Sequence, residues 1–137
     1  MVSTKAGAKG YYNLLLLSRF FIAVFQKSPS YYKTFIEDET LLCFVYMMSE
    51  GNSEFKESIL TMMLHMIECS GKSTKVTDYI FKVLNEEEAK RKEENANDQI
   101  LIPLLFSESA KVSVKAIALI ASILRNQMKT EPKKLNI

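Results

Sequence analysis

Five consecutive residues, Ser70-Gly71-Lys72-Ser73-Thr74, carry the letters that end a phosphate-binding loop. That chemistry needs backbone N–H groups cradling the phosphates, a glycine five residues before Gly71 and a β-strand leading in. Position 66 is methionine instead, and the preceding segment has helical periodicity. The same letters also serve as punctuation: Gly71 ends one helix, and Ser73 or Thr74 caps the next. His65 is the only histidine. As a general base it would need a positioned nucleophile and an orienting acid, and the sequence singles out neither. Its plain reading is a partly buried imidazole donating one hydrogen bond. Glu37-Asp38-Glu39 has no second ligand set at metal spacing and reads as a solvated turn. Cys43 and Cys69 lie in apolar runs without a CxxC motif, which predicts small buried hydrophobes in a reducing compartment. The expectation is a non-catalytic protein with no cofactor and no metal.

Composition narrows the class further. The chain has 137 residues, 47% hydrophobic and 25% charged, with a net charge of +2. That is one folded domain, and its interspersed charges give no strong field for nucleic acid. Lys5 and Lys9 ahead of the apolar run Leu14–Phe25 resemble the start of a secretory leader. Ser18 and Arg19 break that run, it is too short to span a bilayer, and no small-residue cleavage site follows. A core helix is the better reading, with no membrane partner and a cytoplasmic location, the nucleus being the second choice.

Positioning falls to helices. In Ser109–Asn126, the residues Val112, Ala116, Leu119, Ile120 and Ile123 fall on one stripe of a 3.6-residue helix. The same template fits Phe55, Ile59, Met62, Met63 and Met66, and again Leu14, Ser18, Phe21, Ile22 and Phe25. The first two copies start 41 residues apart (Leu14 to Phe55) and the last two 57 apart (Phe55 to Val112). Methionines at helical spacing predict core filler. A period near forty with one buried stripe per copy predicts a helical-repeat stack.

Between the stripes the chain reads as short, medium and long helices, twice. Residues 1–10 are a flexible lead-in, and a long helix is expected from Tyr11 to Gln26. Ser28-Pro29 opens a short helix. Leu41–Ser49 is apolar nearly all round and should be covered on most sides, and Glu54–Cys69 follows, capped by Asn52 or Ser53. The second set starts at Ser73 or Thr74, with Val76, Tyr79, Ile80, Val83 and Leu84 facing inward, and its charged tail Glu86–Glu94 is expected to be an exposed helical extension, dispensable for folding. Ile100–Phe106 and Ser109–Asn126 complete it, and residues 128–137 are a flexible tail.

This order resembles the armadillo-repeat family, whose unit is two short helices and one long one. SPSYYKTFIEDETLLCFVYMMSEGNSEFKESILTMMLHMIE fits the family pattern without gaps from the proline of the first helix to the last apolar residue of the third. ILIPLLFSESAKVSVKAIALIASILRN is the second match, with paired Leu104 and Leu105 and the small Ala116. The resemblance covers residues 11–127, with 86–99 as a charged insertion. A HEAT-like assignment fits almost as well. The glycine the family has between its first two helices is missing around Asp38–Glu39.

The resemblance implies an all-α, right-handed α-solenoid of about two and a half armadillo-like units. It implies a non-catalytic adaptor or scaffold that binds a protein or peptide on the concave face of the third helices. The family positions that hold peptide backbone fall here on Phe20, Thr61 and Ala118, and on Val24, His65 and Ser122. Their residue types do not form the tryptophan–asparagine ladder of nuclear import adaptors. A co-chaperone or assembly-factor role is the second reading. A compact Bcl-2-like bundle with Leu41–Met48 at its centre and a groove for an amphipathic helix is the third. The apolar N-terminal helix has no preceding repeat to cover it, which predicts self-association or a longer parent protein.

Overall fold

A computed structural model describes the backbone of residues 2–48, 52–93 and 100–130, and the side chains of 12–48, 52–90 and 100–128. The described residues form an all-α fold without a strand. The helices are α1 (Val2–Lys27), α2 (Tyr32–Glu37, preceded by a 3-10 turn at Pro29–Tyr31), α3 (Thr40–Met48), α4 (Ser53–Cys69), α5 (Thr74–Glu93), α6 (Leu101–Leu105) and α7 (Ala110–Thr130). Helix α1 therefore starts nine residues before the expected Tyr11, and α7 runs three residues beyond the expected boundary at 127.

The termini of α4 and α5 follow from local chemistry. Asn52 accepts a hydrogen bond from the Phe55 N–H at 2.9 Å and so caps α4. At the other end Gly71 takes φ 67 and the Lys72 N–H returns to the Ile67 carbonyl at 2.9 Å. Ser73 Oγ then accepts from the Lys75 N–H at 3.2 Å and starts α5. The phosphate-loop letters are thus a helix stop and a helix start. Between α2 and α3, where the family pattern has glycine, Glu39 itself adopts φ 55. An L-residue pays about 1–2 kcal/mol for that conformation, and here it allows the chain to turn within two residues.

Helix α4 lies between α1 and α7 and packs along both. Its stripe Phe55, Ile59, Met62, Met63 and Met66 is fully enclosed. On α7, Val112, Ala116, Leu119 and Ile123 are buried, with Ile120 partly so. On α1, Ser18 and Phe25 are buried, and Leu14, Phe21 and Ile22 pack against the core. Helix α3 touches α2, α4 and α5; α5 also packs on α4, and α5 and α6 both pack on α7. An aromatic cluster closes the α1–α2–α3 corner, with Phe21 and Phe35 edge to face at 4.9 Å and Phe25 and Phe35 at 5.4 Å.

Two expectations need correction. Helix α3 is covered on most sides, as expected: Leu41, Phe44, Val45 and Met48 are buried and Leu42 and Met47 pack against the core, while Tyr46 is 64% exposed. Cys43 shares that one open side, so it is not a buried hydrophobe, and the most enclosed helix is α4. The tail of α5 is not simply solvated either. Glu87 is buried beside Leu14, Leu42 and Met47, because α5 continues past α3. Glu88 Oε1 accepts from the Ile100 N–H at 2.8 Å, which ties the restart of the chain to α5.

A buried hydroxyl pair sits inside the α1–α4 joint. The hydroxyls of Ser18 and Ser58 meet at 2.5 Å, both residues buried. Ser18 donates its only proton to the Leu15 carbonyl at 2.7 Å, so Ser58 must be the donor between the two. Replacing Ser18 by alanine takes away the acceptor of a buried donor, whereas Ser58→Ala leaves Ser18 bonded. Chemical denaturation should therefore find Ser18→Ala costlier than Ser58→Ala, by about 1 kcal/mol, with the double variant recovering part of the loss. At the α4–α7 joint, the fully buried Ala116 has no room to grow, and Ala116→Leu should cost about 1–3 kcal/mol in the same measurement.

Candidate functional site

The surface stripe of α4 is set by its core stripe: with one side buried, Glu54, Glu57, Thr61, His65 and Glu68 are left facing out at helical spacing. Glu54 and Glu68 are exposed, and Glu57, Thr61 and His65 are half-buried. The neighbouring helices reach into this stripe from both sides. Arg19 of α1 bonds Glu54 at 2.5 Å. Lys115 of α7 donates to Glu57 at 3.1 Å and to Thr61 Oγ1 at 2.6 Å. The Lys115–Glu57 pair is about two-thirds shielded, while the Arg19–Glu54 pair is half-exposed. The inner pair therefore fixes position better than the outer one.

The six positions expected to meet a partner are distributed over this row. Thr61 and His65 share the α4 stripe, and Ala118 and Ser122 lie half-buried on α7. Phe20 is 60% exposed on α1 and Val24 is half-buried one turn on. Two of the six are already engaged. Thr61 donates to the Glu57 carbonyl at 2.8 Å while accepting from Lys115, and Ser122 donates to the Ala118 carbonyl at 3.0 Å. His65 makes no side-chain hydrogen bond among the described residues, so its expected single bond is not found. Among the described residues its imidazole holds no hydroxyl, thiol or carboxylate at hydrogen-bond distance.

Beyond Ser122 the row opens into a cleft of about 200 Å³ lined by Leu64, Ile67, Glu68, Lys72, Thr77, Ser122, Arg125 and Asn126. Asn126 forms its wall. It is 6% exposed and donates to Asp78 Oδ1 at 2.7 Å, which locks α7 to the start of α5. Lys72 and Arg125 share the lining with Glu68, giving a cleft of mixed sign suited to a polar chain rather than to a bare anion. Sequence reading missed Lys115, Asn126 and this cleft, because their partners lie 48 to 58 residues away. Among the described residues no cluster of His, Cys, Asp and Glu could hold a metal ion, and no helix is long and apolar enough to cross a membrane.

Set against protein-family models, curated proteins and solved structures, the chain matches nothing.

The two thiols differ in a way that solution chemistry can read. Burial, with the Glu68 carboxylate beside it, pushes the Cys69 thiol up from its ordinary value, and its Sγ donates to the Phe25 carbonyl at 3.4 Å. Raising that pKa lowers the thiolate fraction at any pH below it, and the thiolate is the nucleophile. Cys43 is exposed. Iodoacetamide at pH 8 should alkylate Cys43 at least about tenfold faster than Cys69, read by peptide mass mapping. Equal rates would mean that the α1–α4 joint opens around Cys69.

Proposed function

We propose that this chain is a non-catalytic protein-interaction module, an adaptor or scaffold surface of armadillo-like type, whose partner lies along the row formed by α1, α4 and α7. One observation carries the reading: three long helices with the same buried stripe, offset by 41 and 57 residues, stand side by side with α4 in the middle. A row built this way gives its partner a rigid surface, because each helix is held by its neighbours and not by loops. Along it, Phe20 and Val24 supply apolar contact at one end. His65, with its unengaged imidazole, supplies a donor or acceptor at the centre. Ser122 and the polar cleft beside it receive polar groups at the other end. An extended peptide fits this order of contacts, which runs across three helices, better than a small molecule gathered in one cavity.

The α3-centred bundle with a helix-binding groove has less support, since α3 keeps an open side at Cys43 and Tyr46 and the enclosed helix is α4.

Photo-crosslinking tests the assignment. A benzophenone side chain at His65 or Ala118 should give a defined protein adduct in the native extract, and the same group at Lys33 on exposed α2 should not. His65→Asp with Val24→Asp should abolish the adduct from Ala118 while leaving the helical spectrum unchanged. Identical adducts from Lys33 and His65 would contradict the assignment.

A further inference from the structure

The joint between α4 and α7 has an unfilled counterpart on the far side of α7. On α4, the positions Glu57, Leu60, Leu64 and Ile67 run at i, i+3, i+7 and i+10 along the side that meets α7. Glu57 bonds Lys115, and Ile67 lines the cleft with Ser122. Leu60 and Ile67 are 0% and 5% exposed there. Fifty-seven residues on, the same register on α7 reads Val114, Ile117, Ala121 and Leu124. Ile117 and Leu124 are 57% and 37% exposed, Met128 extends the stripe at 55%, and Val114, 62% exposed, stands at its α4 edge, lining a shallow depression with Glu57 and Lys115. Singly exposed apolar residues are ordinary, but a continuous helical stripe of them is a docking surface.

Charge decides what covers it. The edge beside the α4 stripe carries Glu54, Thr61 and Glu68. Glu54 pairs with Arg19 of α1 and Thr61 accepts from Lys115 of α7, so this acid-edged helix receives a basic neighbour on each side. At the 57-residue offset the same edge of α7 carries Lys111, Ala118 and Arg125. The sign is inverted, and α7 contains no acidic residue from Ala110 to Thr130. We infer that the outward face of α7 binds an amphipathic helix of another protein, apolar along one stripe and acidic along its edge. A second copy of this chain is the wrong occupant. The helix it would bring from its opposite end is α1, which also has no acidic residue and carries Lys5, Lys9, Arg19 and Lys27, so cations would face cations. The apolar stripe of the outward face, Ile117, Leu124 and Met128, lies outside the row of α1, α4 and α7, while its basic edge borders that row, since Arg125 also lines the cleft beside Ser122.

The probe follows from the same logic. A fluorescein-labelled peptide with the sequence of Ser53–Cys69, carrying Cys69→Ser, is an acid-edged amphipathic helix. Its twin carries Glu54→Lys, Glu57→Lys and Glu68→Lys. In anisotropy titrations on the full chain, the acidic peptide should bind and its twin should not. Ile117→Lys or Leu124→Lys, both at exposed positions, should weaken binding by about tenfold or more with the helical spectrum unchanged. Lys111→Glu with Arg125→Glu should shift the preference to the twin. His65→Asp should change nothing, which separates this surface from the row. Equal binding of both peptides, or binding indifferent to the α7 variants, would overturn the inference. So would self-association of the chain alone that Ile117→Lys abolishes, or binding to phosphatidylserine vesicles through Ile117 without binding of the acidic peptide.

Discussion

Everything in this fold depends on enclosing α4. It buries Phe55, Ser58, Ile59, Leu60, Met62, Met63, Met66 and Ile67, an arc wider than a surface helix can hide against one neighbour. Each large apolar side chain contributes about 1.5–3 kcal/mol when withdrawn from water. The stripe therefore outweighs any single polar contact, each worth about 1 kcal/mol. Hydrophobic burial has no direction, however, and would permit α1 or α7 to slide along α4. The polar contacts prevent that. Ser58 finds Ser18, Cys69 finds the Phe25 carbonyl and Glu54 finds Arg19 on one side. Glu57 and Thr61 share Lys115 on the other. Apolar area holds the row together, and these contacts set its register.

The same constraint explains the outer surfaces. A central helix satisfied on both sides leaves each flanking helix with an open face, even though α5 and α6 also pack on α7. Leu16, Leu17 and Phe20 on α1, and Val114, Ile117 and Leu124 on α7, stay in water. They repeat the period that built the interior, yet no described neighbour covers them. Both flanking helices are purely basic, while α4 between them carries the acids. The charge alternation that suits α1 and α7 to α4 makes them unsuited to one another.

The three stripes were legible because side-chain periodicity is a local property, and burial follows it at Phe55, Met62, Val112 and Ala116 alike. Stops and starts at Asn52, Gly71 and Ser73 were legible for the same reason. The early start of α1 was not, since Gly7 and Gly10 weaken helix propensity and the lead-in becomes helical by propagation from the apolar run. Glu87 looked like one charge in a solvated run until the path of α5 past α3 enclosed it. Cys43 sat in the unbroken apolar run LLCFVYMM, where no polar residue marks the open side. The Lys115–Glu57–Thr61 contact left no trace in the sequence, because a lysine on a helix reads the same with or without a distant carboxylate.

The claim beneath all of this is that α4 is the enclosed helix, and native-state hydrogen exchange tests it most directly. Amides opening only on global unfolding mark the best-buried element. With α4 enclosed, the slowest-exchanging amides should lie in Ile59–Ile67, followed by the parts of α1 and α7 that face them. Slowest exchange in α3, with Ile59–Ile67 exchanging through local openings, would contradict it.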